Sequence, residues 1–243
     1  MLPFLLLSIR GEAAARDDEY ASFLRFTGLS EPELPRVLLA EEPLGAVDLD
    51  SYSGVLLGGG PWNASDPEGA KSPAQVAAEK DLSALLDDVV ERDFPFLGAC
   101  YGIGTLGTHQ GGRIDRSWPE PVGPLSVTLT AEGLRDPLMA GLPVDFTAYG
   151  GHKEAMVELP PGAVRLATSE ACPVQAFRVG AHVYATQFHP ELDVEGVCTR
   201  IEVYKDAGYF DPTEAETLKS ISRGVDVRHP MTMLANFVRL HAR

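Results

Sequence analysis

FPFLGACYGIGTLG, residues 94–107, runs from a short apolar stretch into glycine-rich sequence, with a cysteine at the junction. Residues 94–100 have the pattern of a buried strand, and the glycines around Cys100 predict a sharp turn into a helix. In a turn of the form Gly-x-Cys-x-Gly, side chains two residues before and after the cysteine would collide, so both positions require glycine. The stretch therefore predicts a thiol raised above the carboxyl edge of a sheet, at a helix N-terminus that favours the thiolate.

The sequence before this unit alternates in the same way between short apolar runs and helical patterns. Apolar runs at 3–9, 36–40 and 54–60 predict three more strands, since parallel strands are buried on both faces and continuously apolar. Residues 17–29 predict a helix, and residues 72–93, which begin Ser-Pro, predict the longest one. We therefore expect an α/β fold, a doubly wound and mostly parallel sheet with helices on both faces.

The second half of the chain has a different pattern of residues. From residue 122 the sequence is β-rich, which favours antiparallel edge strands, and residues 196–243 contain three helical patterns. No internal repeat, low-complexity segment or long linker interrupts the chain. We expect one domain over residues 1–243, with a core of about 1–195 and a C-terminal helical extension of about 196–243.

Composition excludes several classes of function. The chain has 243 residues, 44% hydrophobic and 23% charged, which is typical of a globular protein. A formal net charge of −15 argues against a nucleic-acid partner, and no apolar run approaches the ~20 residues of a membrane span. The three cysteines are too widely spaced for a disulfide framework or a metal site. We expect a cytoplasmic protein with neither metal nor cofactor.

A nucleophilic Cys100 requires a base, and His189 has the most suitable setting of the six histidines. It follows an apolar stretch that Pro190 ends, and Glu191 comes two residues later. A carboxylate there can orient the imidazole so that its other nitrogen faces the sulfur. From these residues alone, a structural cysteine and a buried core histidine remain open alternatives.

Acyl transfer also requires hydrogen-bond donors for an oxyanion. The sequence GGGPWN at 58–63 allows the backbone to approach a substrate closely. The N–H groups of Gly60 and Tyr101 are the candidates for an oxyanion hole. Taken alone, these glycines fit a simple loop after a strand better.

Three motifs together give a more specific indication. GGGP at 58–61, GACYG at 98–102 and FHPE at 188–191, in this order, resemble the class I (triad) glutamine amidotransferases. The resemblance is strongest to the amidotransferase domain of GMP synthase and its stand-alone relatives, and it covers roughly residues 36–195.

The resemblance implies a flavodoxin-like domain with Cys100 as nucleophile, His189 as base and Glu191 as the residue that orients His189. It implies attack on a γ-glutamyl amide, release of ammonia with formation of a γ-glutamyl thioester, and hydrolysis of that thioester to glutamate.

The resemblance also implies a substrate site. YGGHKE at 149–154 matches a family segment that ends in a Ser-His-Gly-Asp-like run. By that match, the backbone around Gly151 and His152 holds the amino-acid end of the substrate, with Gly59 nearby.

One position departs from the family pattern. The family usually has glutamine four residues after the nucleophile, where its amide helps to hold the substrate, and this chain has Gly104. Either another residue, such as His109 or Gln110, replaces that contact, or the substrate is not free glutamine. If glutamine is the substrate, Gly104→Gln is expected to restore the contact and to stabilise the helix.

Three functions remain open on these residues. The leading one is hydrolysis of a small-molecule γ-glutamyl amide such as glutamine. The second is a γ-glutamyl peptidase or hydrolase that acts on a peptide or conjugate, and the third is a non-catalytic relative that binds a ligand or regulates a partner. Residues 196–243 are too few for a synthetase domain, so we expect ammonia to pass to a separate synthetase partner or to solution.

Overall fold

The computed structural model describes all residues, 1–243. It contains eleven strands and six α-helices, joined by turns and short 3₁₀ segments. The strands are β1 (Phe4–Ser8), β2 (Arg36–Leu38), β3 (Gly54–Leu57), β4 (Phe96–Ala99), β5 (Arg113–Asp115), β6 (Glu120–Leu129), β7 (Asp145–His152), β8 (Ala155–Glu158), β9 (Val164–Thr168), β10 (Ala176–Val179) and β11 (Val183–Thr186). The helices are α1 (Ala13–Thr27), α2 (Pro73–Glu91), α3 (Tyr101–His109), α4 (Val194–Val203), α5 (Ala215–Arg223) and α6 (Thr232–His241).

Nine strands form one sheet in the order β2-β1-β3-β4-β11-β10-β9-β6-β7. The first five of these are mutually parallel, and their order is that of a flavodoxin-like sheet. Strands β10, β9, β6 and β7 continue the sheet with antiparallel pairing, and β5 and β8 form a separate ribbon. The predicted α/β fold with antiparallel edge strands is therefore confirmed.

The parallel strands are buried on both faces, as their continuous apolar sequence predicts. Alternate residues of β1 enter two separate cores. Phe4 and Leu6 pack in the layer with α1 and α6, and Leu5 and Leu7 pack in the layer with α2 and α3. This two-layer packing fixes the central strands, and with them the loops at their carboxyl ends.

Most predicted elements match the observed ones within a few residues. Helix α2 is the longest at 19 residues, as predicted. Helix α1 begins at Ala13, four residues before the predicted start at 17. The predicted strand 54–60 ends at Leu57, because the glycines that follow form a loop rather than part of the sheet.

The helices after residue 195 pack against the α/β core. Phe237 of α6 lies 5.8 Å from Phe4, centroid to centroid, and is fully buried with Leu234. Helix α4 packs on α1 and α5. None of the helices is both long enough and apolar enough to cross a lipid bilayer.

Candidate active site

Cys100 occupies the sharp turn between β4 and α3. Its backbone has φ 51° and ψ −88°, and it is one of only two non-glycine residues with positive φ. A Cβ on Gly98 would lie 2.8 Å from the Cα of Gly102, so position 98 has to be glycine. The strained turn is the predicted one, and it places Cys100 at the N-terminal cap of α3.

The loops that follow three neighbouring strands meet at this turn. These loops follow β3, β4 and β11, which are adjacent in the sheet and parallel. A Cβ on Gly59 would lie 2.4 Å from Cε1 of His189 and 3.0 Å from Cβ of Cys100. Both residues thus pack close to Gly59, and any larger residue at this position would displace the histidine ring or the cysteine.

His189 is fixed by a carboxylate on one side and faces the pocket on the other. Its Nδ1 lies 2.7 Å from Oε1 of Glu191, which is fully buried. The Nδ1–H donates to this carboxylate, which leaves Nε2 as the nitrogen that can accept a proton. The Cys100 thiol makes no hydrogen bond to the ring, a looser contact of the kind often found in resting enzymes.

Three buried charged residues that no sequence motif indicated surround this pair. Arg200, on α4, places Nη2 2.9 Å from Oε1 of Glu191 and Nη1 2.9 Å from Nδ1 of His189. It also lies 3.5 Å from Glu19, on α1, which accepts a 2.8 Å hydrogen bond from Nε of Arg10. Two arginines and two carboxylates, one of which is Glu191, thus form one buried network that fixes the position of Glu191.

Burial and this network set the protonation of the triad. Burial alone would raise the pKa of Glu191, but His189 and Arg200 outweigh it and hold that pKa well below its ordinary value. Burial lowers the pKa of His189; Glu191 opposes this effect and Arg200 adds to it. Glu191 is therefore the ionised member, and His189 is a neutral base.

The protonation state of Cys100 differs from the thiolate that the sequence predicts. Burial raises the pKa of its thiol to about 12, although Arg10 and Arg200 act in the opposite direction. In this pocket desolvation is the largest of the effects on that pKa. The resting pair is therefore a neutral thiol beside a neutral imidazole, and the proton must leave the sulfur during attack.

The pocket above Cys100 is narrow and covered. It is walled by Gly60, Gly150 and Gly151 on one side and has about 40 Å³ of free space, room for only a few water molecules. Tyr204 and Tyr209, which follow α4, cover it. Residues that follow α4 thus help to enclose the space above Cys100.

The cover is tied to the turn after β7. Lys153 donates a 2.8 Å hydrogen bond to the carbonyl of Ala207, and its Nζ lies 4.2 Å from the centre of the Tyr209 ring. Residues 204–209 thus bring part of the predicted C-terminal extension to the pocket of Cys100.

Comparison with known proteins identifies the family of the chain. Residues 36–196 match the model of the glutamine amidotransferase class-I family. The chain belongs to this family. It is a class I amidotransferase-like hydrolase with a Cys–His–Glu triad.

Similar proteins include chains of comparable length and much longer ones. The chain is 28% identical to a glutamine-hydrolyzing GMP synthase subunit from Thermococcus kodakarensis, over 70% of this chain and 80% of that protein. It is 32% identical to the glutamine-hydrolyzing GMP synthase of Thermomicrobium roseum, over 58% of this chain but only 24% of that protein. A glutamine amidotransferase of Thermotoga maritima, 21% identical, has the same fold, with a TM-score of 0.79 over 100% of both chains.

The two predicted oxyanion donors of this amidotransferase are free. The N–H groups of Gly60 and Tyr101 donate to no acceptor within the protein, whereas the Cys100 N–H donates to the carbonyl of Thr186 at 2.7 Å. Gly60 lies on the pocket wall. The Gly60 N–H is therefore available to a ligand in this pocket, whereas Tyr101, directly after Cys100, is not among the residues that line it.

The predicted substrate residues separate into two groups. Gly59 and Gly151 adjoin or line the pocket. His152 is turned away, because its ring nitrogens lie 2.9 Å from the carbonyl of Glu154 and 2.8 Å from Oε2 of Glu120. Its side chain thus belongs to a different part of the amidotransferase.

Glu120, His152 and Cys172 form a second buried cluster, with ligand-type atoms within 4.8 Å of one another. No sequence motif indicates this cluster, since the three residues come from separate segments. The Glu120 carboxylate also accepts from Gln175, at 2.5 Å, and from Ser169, at 3.3 Å. Hydrogen bonds within the protein therefore account for most of the polar atoms of this cluster.

Gly104 lies outside the catalytic pocket. A Cβ there would lie 2.8 Å from Cδ1 of Ile114, 3.0 Å from Cβ of Ala64 and 3.2 Å from Oε1 of Glu154. Glu154 occupies this space and accepts hydrogen bonds of 2.7 and 2.8 Å from the N–H groups of Ala64 and Ser65. The expectation that Gly104→Gln restores a substrate contact therefore does not fit the structure.

His109 and Gln110 do not replace the missing glutamine either. They contact each other at 2.8 Å at the end of α3, where His109 also meets Asp87 at 3.0 Å. Neither residue lines the pocket of Cys100.

Proposed function

We propose that this chain hydrolyses a γ-glutamyl amide through a γ-glutamyl thioester on Cys100. The observation that carries the proposal is the position of His189, whose Nδ1 is held by Glu191 and whose ring lines the same pocket as Cys100. This arrangement supplies a nucleophile, a base and an orienting carboxylate in the required order.

The reaction follows from the protonation states. As Sγ of Cys100 attacks the amide carbon, Nε2 of His189 takes the thiol proton. The imidazolium then gives that proton to the leaving nitrogen, the C–N bond breaks, and ammonia or an amine departs. Water attacks the thioester with His189 again as base, glutamate leaves, and the proton returns to the sulfur.

Other groups have supporting roles in this proposal. The N–H groups of Gly60 and Tyr101 stabilise the oxyanion of each tetrahedral intermediate. Gly59 and Gly151, with the backbone of His152, border the substrate. We further propose that residues 1–243 act as a single domain, since the cover and Arg200 come from beyond residue 195.

The proposed substrate is glutamine, and the proposed partner is a separate synthetase that receives the ammonia. This proposal rests on the similarity to the GMP synthase subunit from Thermococcus kodakarensis, of which the chain matches 80%. The chain matches about a quarter of the longer GMP synthase of Thermomicrobium roseum, so the complete activity of that protein is not transferred to it.

The second candidate is hydrolysis of a γ-glutamyl peptide or conjugate. It is favoured by the loss of the contact that glutamine at this position usually makes in the family, since this chain has Gly104 and the adjacent space is filled by Ile114 and Glu154. In this case the leaving group is an amine larger than ammonia.

A substrate screen separates the two candidates. Glutamate release is measured from glutamine, γ-glutamyl methylamide and a set of γ-glutamyl dipeptides, with wild type and Cys100→Ser. We expect release by wild type only, and an acyl-enzyme adduct on Cys100 in rapidly quenched samples. Turnover that persists in Cys100→Ser, or no glutamate from any compound, would contradict the proposed function.

A further inference from the structure

Arg10 presents an unused hydrogen-bond donor to the catalytic pocket. The residue follows β1 and is only 3% exposed. Its Nε donates to Oε1 of Glu19 at 2.8 Å and its Nη1 donates to the hydroxyl of Tyr204 at 3.0 Å. Its remaining nitrogen, Nη2, makes no hydrogen bond within the protein, and Arg10 forms part of the wall around Cys100.

The other pocket walls offer no comparable group for an anion. Gly60, Gly150 and Gly151 contribute backbone, and most of the remaining wall is apolar. The second arginine, Arg200, is already paired with Glu191. Arg10 is therefore the cation with free capacity in this pocket.

Binding of an anion to Nη2 would leave the existing contacts of Arg10 intact. Glu19 takes only Nε and Tyr204 takes only Nη1, so both N–H bonds of Nη2 remain unused. The planar group is thus fixed in orientation before a ligand arrives, which is how arginine recognises carboxylates most effectively. Arg10 and Cys100 line the same pocket, and no hydrogen bond joins the guanidinium group to the sulfur.

We propose that Arg10 binds a carboxylate of the substrate beside Cys100, and that the pocket selects γ-glutamyl compounds by this carboxylate. The inference rests on the proposed function. Two carboxylates qualify: the α-carboxylate of every γ-glutamyl group, and a carboxylate on the leaving group of a γ-glutamyl amino acid.

Alkylation of Cys100 tests the role of Arg10 without any substrate. Iodoacetate and iodoacetamide transfer similar groups to the same sulfur, but only iodoacetate carries a carboxylate. The ratio of the two rates cancels any change in the thiol pKa. Cys172 and Cys198, which are 0% and 8% exposed, are slow internal references in the same mass spectra.

In wild type we expect a high ratio of iodoacetate to iodoacetamide labelling at Cys100. Arg10→Met should lower this ratio about tenfold or more, the range for a charge-assisted hydrogen bond. Arg10→Lys, which keeps the charge, should retain most of it. Arg113→Met, which removes an exposed arginine on β5, should leave the ratio unchanged.

An unchanged ratio in Arg10→Met would overturn the inference, even if both reagents react more slowly. That result would mean that Arg10 acts on the thiol and not on a carboxylate. Arg10→Gln, which can still donate to Glu19, is the second neutral variant in case Arg10→Met unfolds, which labelling of Cys172 would reveal.

Measurement of kcat/KM identifies which of the two carboxylates Arg10 binds. The four substrates are glutamine, its α-carboxamide analogue, γ-glutamyl methylamide and γ-glutamylglycine. If Arg10 binds the α-carboxylate, Arg10→Met should impair every substrate except the α-carboxamide. If it binds the leaving group, only γ-glutamylglycine should be impaired, and equal impairment of all four would contradict both. Failure of wild type to cleave any of them would refute the proposed function, while the alkylation ratio would still decide the role of Arg10.

Discussion

The molecule contains two groupings of glutamate, histidine and cysteine, and only one of them faces a pocket. Around Cys100, a single histidine nitrogen is bound by Glu191 and the other is left free. Around Cys172, both nitrogens of His152 are bound within the protein. The residue types are the same, but the hydrogen bonds that remain available differ.

The two groupings also differ in what surrounds them. Cys100 and His189 line one pocket together with three glycines, whose lack of side chains leaves the sulfur approachable by a ligand. Cys172 is fully buried, and its thiol contacts the carbonyl of Val174 at 3.5 Å. A reactive triad thus requires an unsatisfied nitrogen and an open approach, in addition to the three residue types.

The largest expected difference is between the two cysteines. Cys100→Ser should lower glutamate release by about a thousandfold or more, since the nucleophile is lost and only substrate binding and oxyanion donors remain. Cys172→Ser should keep wild-type turnover, because a hydroxyl can still donate to Val174. Glutamate release and circular dichroism of both variants provide the measurement, and a strong loss of turnover in a folded Cys172→Ser would undo the comparison.

The second largest difference is expected between substitutions of Glu191 and of Glu120. Glu191→Gln should reduce kcat by roughly 10²–10⁴, because an amide no longer fixes the tautomer of His189 or stabilises its charge. Glu120→Gln should leave kcat unchanged but lower the free energy of unfolding by about 1–3 kcal/mol, since a buried hydrogen-bond network is disturbed. Steady-state kinetics and urea unfolding separate these effects, and similar kcat values for the two variants would contradict the assignment.

Arg200 should control the pH dependence of the active grouping. The base must be neutral, so activity falls as pH drops through the pKa of His189. Arg200 helps to lower this pKa, and Arg200→Met should therefore raise it and move the acid limb of kcat/KM to higher pH. Arg25→Met, which removes an exposed arginine near the start of α4, is the control. A shift of the limb to lower pH would refute this role.

The smallest expected effect on catalysis is at Gly104. Gly104→Gln should leave KM within about twofold, because position 104 does not face the pocket, and should destabilise the fold by about 1–3 kcal/mol through overpacking against Ile114 and Ala64. Thr108→Gln, an exposed site one turn further along α3, should cost little. A clearly lower KM for glutamine in Gly104→Gln would show that α3 is oriented differently from the structure.

The sequence was informative where function depends on local geometry. Gly98 and Cys100 define a turn that is sterically determined within five residues, and the apolar runs before it define the strands. The carboxyl ends of adjacent parallel strands then meet at one edge, which brings His189 to Cys100 without any long-range information beyond strand order.

The sequence was uninformative where burial depends on how helices pack. Glu19 and Arg200 lie on α1 and α4, and charged residues on helices are usually solvent-exposed. Only the packing of these two helices brings both side chains into contact beneath Glu191. The surroundings of Gly104 could not be predicted either, because the direction in which α3 presents its fourth residue depends on the packing of that helix.

The position of β4 in the sheet has a consequence for the order of folding. β4 is paired on one side with β3 and on the other with β11, which comes much later in the chain. During synthesis, Cys100 and its turn are made before β11, so the partly made chain holds a nucleophile next to an unpaired strand edge. Arrival of β11 pairs that edge and delivers His189 in the same step, so that completion of the sheet and activation of the thiol become one event.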